Sequence, residues 1–215
     1  MTYKLSPSTL NLMLECPRCF WLTQHDVWSR PSGPFPSLPS GMDSILKKHF
    51  DKFMEKGKLP PELCERELCK GMKLFDDKEK LKEWRNARKG LWFEDENGNV
   101  LHGGIDNLLV KGKKLVVLDY KTRGFALKED TAAHYQLQLD IYAFLLEKMG
   151  YEVEDHAFLL FYYPKEVMET GEVIFDTQLV RMKVNPKNAE KVFKDAIKML
   201  NSDCPKAVCE WCEKV

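Results

Sequence analysis

The chain has 215 residues, 44% of them hydrophobic, enough for one domain with a real core. Its 33 Lys and Arg balance its 33 Asp and Glu, which excludes a globally basic polyanion binder, although a local groove can be basic on a neutral protein. No run approaches the roughly 18 apolar residues of a membrane span, and the opening MTYKLSPSTL lacks the pattern of a secretion signal, so a cytoplasmic protein with no membrane partner is expected.

In chain order, Ser6 and Pro7 predict a helix over 6–14, as N-cap and first helical residue. Residues 29–40, SRPSGPFPSLPS, predict a loop. Ser40 then predicts the cap of a helix to about Lys56, with Ile45, Leu46, Phe50 and Phe53 at helical spacing. A charged helix is predicted over Asp77–Lys89. LWFED, VLHGGIDNLLV and KLVVLDYKT predict a β-meander, with turns at Asn97-Gly98 and Lys111-Gly112. Thr131 predicts the cap of a long helix to 149, which Gly150 ends. Strands over 157–164 and 173–184 and a helix from Asn185-Pro186 to Leu200 complete the pattern. The expectation is an α/β fold, a central mixed β-sheet flanked by helices, in a single domain over residues 1–215. Its core spans about 90–184, between a helical N-terminal segment (residues 1–89) and a C-terminal helix and cysteine tail (residues 185–215).

The chemistry concentrates in GGIDNLLV-x3-KLVVLDYKT. Residues two apart on a strand share a face, so Asp119 and Lys121 project together. If the flanking strands pair around Lys111-Gly112, Asp106 comes beside Asp119. A bare D-x-K is most often a solvated ion pair. Here, however, both carboxylates interrupt apolar runs, and burying a lone carboxylate is costly unless it is paired or metal-bound. Two carboxylates and a lysine suit metal-assisted phosphodiester cleavage: hard oxygens hold Mg²⁺ or Mn²⁺, and the cation assists the anionic transition state. On the helix that follows, Gln138 and Tyr142 share a face, with His134 one turn earlier.

GGIDNLLV…LVVLDYKT…QLQLDIYAFLL resembles the three motifs of the RecB-like branch of the PD-(D/E)XK nucleases: G-x-hD, then hhDYKT, then Q-x3-Y. SPSTLNLMLECPRCFWL is similar to their opening. The resemblance implies a restriction-endonuclease-like core and a metal-dependent deoxyribonuclease of DNA repair, recombination or foreign-DNA processing. Exonuclease and endonuclease action both stay open. It implies Asp106 and Asp119 as metal ligands with the Tyr120 carbonyl, Lys121 as the catalytic lysine, and Gln138 and Tyr142 as an auxiliary pair. Many relatives carry a histidine ligand on an early helix a few residues after a glycine, and here the chain departs from them. After Gly41 the nearest histidine is His49, eight residues on, and Asp43 stands nearer the expected place. Either is a candidate ligand, against the plainer readings of a helix histidine and a first-turn acid. DNA is the partner the resemblance implies, and a helicase or other DNA-processing protein is a further one because relatives often have one; the chain itself has no G-x4-G-K-[ST] loop for an ATPase motor. The rival reading is an inactive nucleic-acid-binding or assembly module on the same fold.

Seven cysteines, an odd number, argue against a disulfide framework. Cys16-x2-Cys19 and Cys209-x2-Cys212 predict a four-thiolate zinc or iron–sulfur site that closes the termini together. Cys204 competes with Cys19 for the fourth place, because iron–sulfur relatives use one N-terminal and three C-terminal cysteines.

Overall fold

The computed structural model describes residues 1–213 and 215. A short strand β1 (Lys4–Leu5) leads into helix α1 (Pro7–Glu15), where Ser6 and Thr9 form a reciprocal capping box behind Pro7. Helix α2 (Pro17–Gln24) follows at once, and the sequence reading missed it. Its N-cap is Cys16, whose sulfur accepts the Cys19 N–H at 3.5 Å, and Pro17 stands at the first helical position. Helix α3 (Ser37–Glu55) starts three residues before Ser40. Pro39 fits inside that first turn, where backbone N–H groups have no helical partner to lose. Leu46, Phe50 and Met54 form the buried stripe of α3, whereas Ile45 is exposed. After α4 (Pro61–Cys64) and a 3-10 turn, strand β2 (Lys73–Leu74) precedes α5 (Lys78–Trp84). Helix α5 stops short of Lys89 because the Asn86 side chain accepts the Arg88 and Lys89 N–H groups in a turn.

The expected meander is divided between two sheets. Strands β3 (Leu91–Glu94) and β4 (Val100–Gly103) join β1 in a three-stranded sheet of order β1-β4-β3. Strands β5 (Asn107–Lys111) and β6 (Lys114–Thr122) belong to a five-stranded sheet of order β2-β5-β6-β7-β8, with β7 (His156–Val167) and β8 (Val173–Lys183). The stretch VLHGGIDNLLV is therefore not one strand. It turns between sheets at Gly104–Asp106, and neither Gly103 nor Gly104 has room for a side chain. A Cβ on Gly103 would lie 2.8 Å from the Tyr142 ring, and one on Gly104 would lie 2.9 Å from the Ala87 backbone. β5 and β6 pair through a two-residue loop whose first residue, Gly112, has φ +62°, a conformation glycine adopts without strain.

β6 pairs with β5 antiparallel and with β7 parallel, so it runs through the middle of the sheet; Val116, Val117 and Leu118 are fully buried. The connection between β6 and β7 is α6 (Gln136–Lys148), buried along most of its length between the two sheets, α1 and the last helix, α7 (Pro186–Leu200). Thr131 opens a 3-10 turn, Thr131–Tyr135, rather than capping α6. Asn185 caps α7, and buried Asp140 of α6 accepts hydrogen bonds from the Asn185 N–H and the Asn188 amide, which ties the two helices together. Among the described residues no helix is long and apolar enough to cross a membrane.

Candidate active site and thiolate centre

Asp119 and Lys121 lie toward the end of β6, on the face that α6 covers. Leu118 is paired with Asn107, so the next residues outward, Asp119 and Asp106, stand across from each other where β5 bends away. Asp106 Oδ2 accepts the Tyr120 N–H at 2.9 Å and so replaces the missing ladder bond. A strand residue's N–H and C=O face the same neighbour, so the Tyr120 carbonyl shares that edge with Asp106. The Tyr120 ring turns to the other face, against Phe50, and its hydroxyl accepts from Asn107 at 2.8 Å.

Asp119 is 2% exposed. The Lys121 ammonium lies against its Oδ2, yet that buried oxygen accepts no hydrogen bond of normal geometry. Burial pushes the Asp119 carboxyl up to about 7; Lys121 opposes the shift and the nearby charge of Asp106 reinforces it. Lys121 also donates to Gln138 Oε1 at 3.0 Å, and Gln138 Nε2 donates to the Tyr142 hydroxyl at 2.7 Å. The Lys121 ammonium sits 4.7 Å above the Tyr135 ring. His134 is exposed beside it in the 3-10 turn.

From the other side, α3 brings a residue that sequence reasoning missed. Lys47 Nζ lies 3.0 Å from Asp106 Oδ1 and 2.8 Å from the Asp43 carboxylate. Burial works against its charge, but Asp106 and Asp43 outweigh it and hold the Lys47 pKa above the ordinary value. Asp51 and Arg85 brace the same wall: Arg85 pairs with Asp51 through both terminal nitrogens and donates from Nε to the Asp106 carbonyl at 2.9 Å. The available signal was the spacing Asp43-x3-Lys47-x3-Asp51, which lines up one helix face in alternating charge. Asp43 thus reaches the site through Lys47. His49 makes its polar contact with Glu62, at 3.0 Å, and Glu62 also accepts the Tyr162 hydroxyl at 3.0 Å. That places His49 in a separate cluster against α4.

The second centre joins the chain ends. The sulfurs of Cys16, Cys19, Cys209 and Cys212 all lie within 4.8 Å of one another. Cys16–Cys212 and Cys209–Cys212 are 3.8 Å apart, and Cys19–Cys209 is 3.4 Å. Cys204 is outside this set and faces Arg18 at 3.6 Å. Leu12, Trp21, Leu22 and Trp28 pack around the four. Burial pushes the Cys19 thiol up to about 12. Cys209 is held at about 6: burial opposes its thiolate, but the Cys212 and Trp211 N–H groups and neighbouring thiols outweigh it. Arg30 reaches the same sulfurs, 3.8 Å from Cys209.

The family model for the PD-(D/E)XK nuclease superfamily matches residues 4–214. This chain belongs to the PD-(D/E)XK nuclease superfamily. No curated protein matches it. Members of this superfamily are typically metal-dependent nucleases, and the site fits a hard cation: two facing carboxylates, one of them buried, beside a lysine. The four-cysteine group can hold a metal as well.

Proposed function

We propose that the chain is a Mg²⁺- or Mn²⁺-dependent deoxyribonuclease of RecB-like type. The observation that carries this reading is buried Asp119 facing Asp106 across the strand pair, with Lys121 in contact with its Oδ2. Burying a carboxylate costs stability unless cations meet it; Lys121 supplies one, and its charge leaves the net negative charge of the facing pair Asp119 and Asp106 open to a divalent ion. Asp106, Asp119 and the Tyr120 carbonyl would hold the divalent ion; when bound, it supplies Lewis acidity toward a scissile phosphate and the attacking water. Lys121 is fixed by Gln138 and by the Tyr135 ring, so its ammonium is aimed before substrate arrives. Its charge stabilises the anion that develops on the phosphate, and Tyr142 holds Gln138 in the orientation this requires.

The thiolate centre is read as a structural zinc site of Cys16, Cys19, Cys209 and Cys212. Zn–S bonds of about 2.3 Å in a tetrahedron separate the sulfurs by about 3.8 Å, close to the spacings found here. An iron–sulfur cubane spreads its thiolates over four irons and needs a wider set. The zinc would staple α2 to the C-terminal segment and keep α7 against α6.

The test is incubation of the purified protein with labelled single- and double-stranded DNA, linear and circular, with Mg²⁺, Mn²⁺ or EDTA. Cutting that needs the divalent ion is expected, and cutting of circles separates internal from end-directed action. No cutting by folded protein supplied with metal would overturn the reading.

A further inference from the structure

Lys47 has no part in the motifs that identify the family, yet it is the cation nearest Asp106. Both oxygens of Asp106 are already engaged, Oδ2 by the Tyr120 N–H and Oδ1 by Lys47. A divalent ion bound by Asp106 needs an oxygen, and the Tyr120 bond is part of the sheet edge. The oxygen that can be released is Oδ1. Lys47 is not stranded by this, because Asp43 lies one helical turn before it and holds the same ammonium at 2.8 Å.

We propose that Lys47 is a resident counterion which fills the metal-free site and hands Asp106 Oδ1 to the incoming divalent cation, while Asp43 keeps its ammonium. The proposal rests on the reading of Asp106 and Asp119 as metal ligands. Three features of the structure support the handover. Lys47 is half-buried on α3, so its stem is fixed and only the ammonium needs to move. It is bound between two carboxylates rather than one, so leaving Asp106 does not leave it unpaired. The Asp106 backbone is clamped separately, by Arg85 at its carbonyl, so the carboxylate keeps its place when Lys47 lets go. In the metal-free protein Lys47 and Lys121 each stand against one of the two facing carboxylates, Asp106 and Asp119. In the handover the incoming ion takes the place of Lys47 at Asp106 Oδ1, so Lys47 makes the site bind its metal less tightly than two free carboxylates would.

The test is titration of the full chain with Mn²⁺ alone, without DNA, read by calorimetry and by the free-Mn²⁺ electron spin resonance signal. Wild type is compared with Lys47→Met, Lys47→Gln and Lys47→Arg, with Asp119→Asn as the control for binding at this site. Both neutral variants are expected to bind Mn²⁺ roughly five- to tenfold more tightly, and the arginine variant to stay near wild type. Without Mn²⁺ the neutral variants should melt earlier than wild type, since Asp106 has lost its counterion, and Mn²⁺ should restore them. Should one neutral variant not fold, the other carries the comparison. Unchanged or weaker binding in the neutral variants, with wild type still binding Mn²⁺, overturns the handover and leaves the metal site standing. No Mn²⁺ bound by any of the proteins overturns both.

Discussion

The ammonium of Lys121 and the side-chain oxygen of Gln138 meet at 3.0 Å, although one residue ends a central strand and the other opens the helix above it. This bond orients the lysine that already lies against Asp119. Helix α6 is buried on several sides and so keeps Gln138 in place above the sheet.

Gln138→Ala is expected to free Lys121 and slow DNA cleavage by about 10–100-fold, the usual loss when a side chain that orients a catalytic group is removed. Gln138 is only half-buried, so the melting temperature should change little. Single-turnover cleavage beside a thermal melt checks both halves.

Asp119 makes the site pH-dependent. Its carboxyl is pushed up to about 7 in the folded chain, against about 3.9 unfolded. The raised value means that its contribution to stability is full below about pH 3.9 and is lost as pH rises through about 7. At pH 8 the ionised carboxylate is therefore a burden on the metal-free protein. Asp119→Asn should raise the melting temperature at pH 8, without added Mg²⁺ or Mn²⁺, by at least the roughly 2–4 °C that 1 kcal/mol gives in a chain of this size. At pH 5 the gain should shrink. For the same reason, cleavage by wild type should weaken as pH falls below about 7, because protons and the divalent ion compete for Asp119.

The thiolate centre separates its five candidate cysteines by geometry. Cys19→Ser and Cys212→Ser remove sulfurs that are fully buried in the group of four. Each should lose the bound zinc and lower the melting point by about 6–12 °C, equivalent to about 3 kcal/mol. Cys204→Ser should keep its zinc, since that sulfur faces Arg18. Metal analysis of the purified variants, with the visible spectrum to exclude iron–sulfur absorbance, decides it.

Gly103→Ala places a methyl group 2.8 Å from the Tyr142 ring. The ring is buried and cannot swing away freely. A loss of about 1–3 kcal/mol is expected from overpacking, and cleavage should fall with it as Tyr142 displaces Gln138. Denaturant unfolding measures the first effect and a cleavage assay the second.

Much of the site was legible because strand geometry is simple. Alternation puts Asp119 and Lys121 on one face, and a tight glycine turn brings Asp106 across from Asp119. The i, i+4 spacing set Gln138 and Tyr142 on one helix face. What was hidden depended on long-range packing. Lys47 lies some sixty residues before its partner Asp106; the Asp43-x3-Lys47-x3-Asp51 spacing marks a charged helix face, but not which distant carboxylate that face meets. The change of sheet at Gly104 was equally invisible, because it follows from the Ala87 backbone and the Tyr142 ring closing on two glycines. Helix α2 was missed because Cys16-Pro17 reads as a metal motif, although the same pair caps a helix and thereby sets Cys16 and Cys19 one turn apart.

The most direct measurement is the cleavage rate of labelled DNA in Mg²⁺ or Mn²⁺ by wild type, Lys121→Ala and Asp119→Ala, each first shown to be folded. Metal-dependent cutting by wild type is predicted, with a loss of at least about a hundredfold in both variants. Equal cutting by all three would contradict the assignment and move the chemistry away from Asp119 and Lys121.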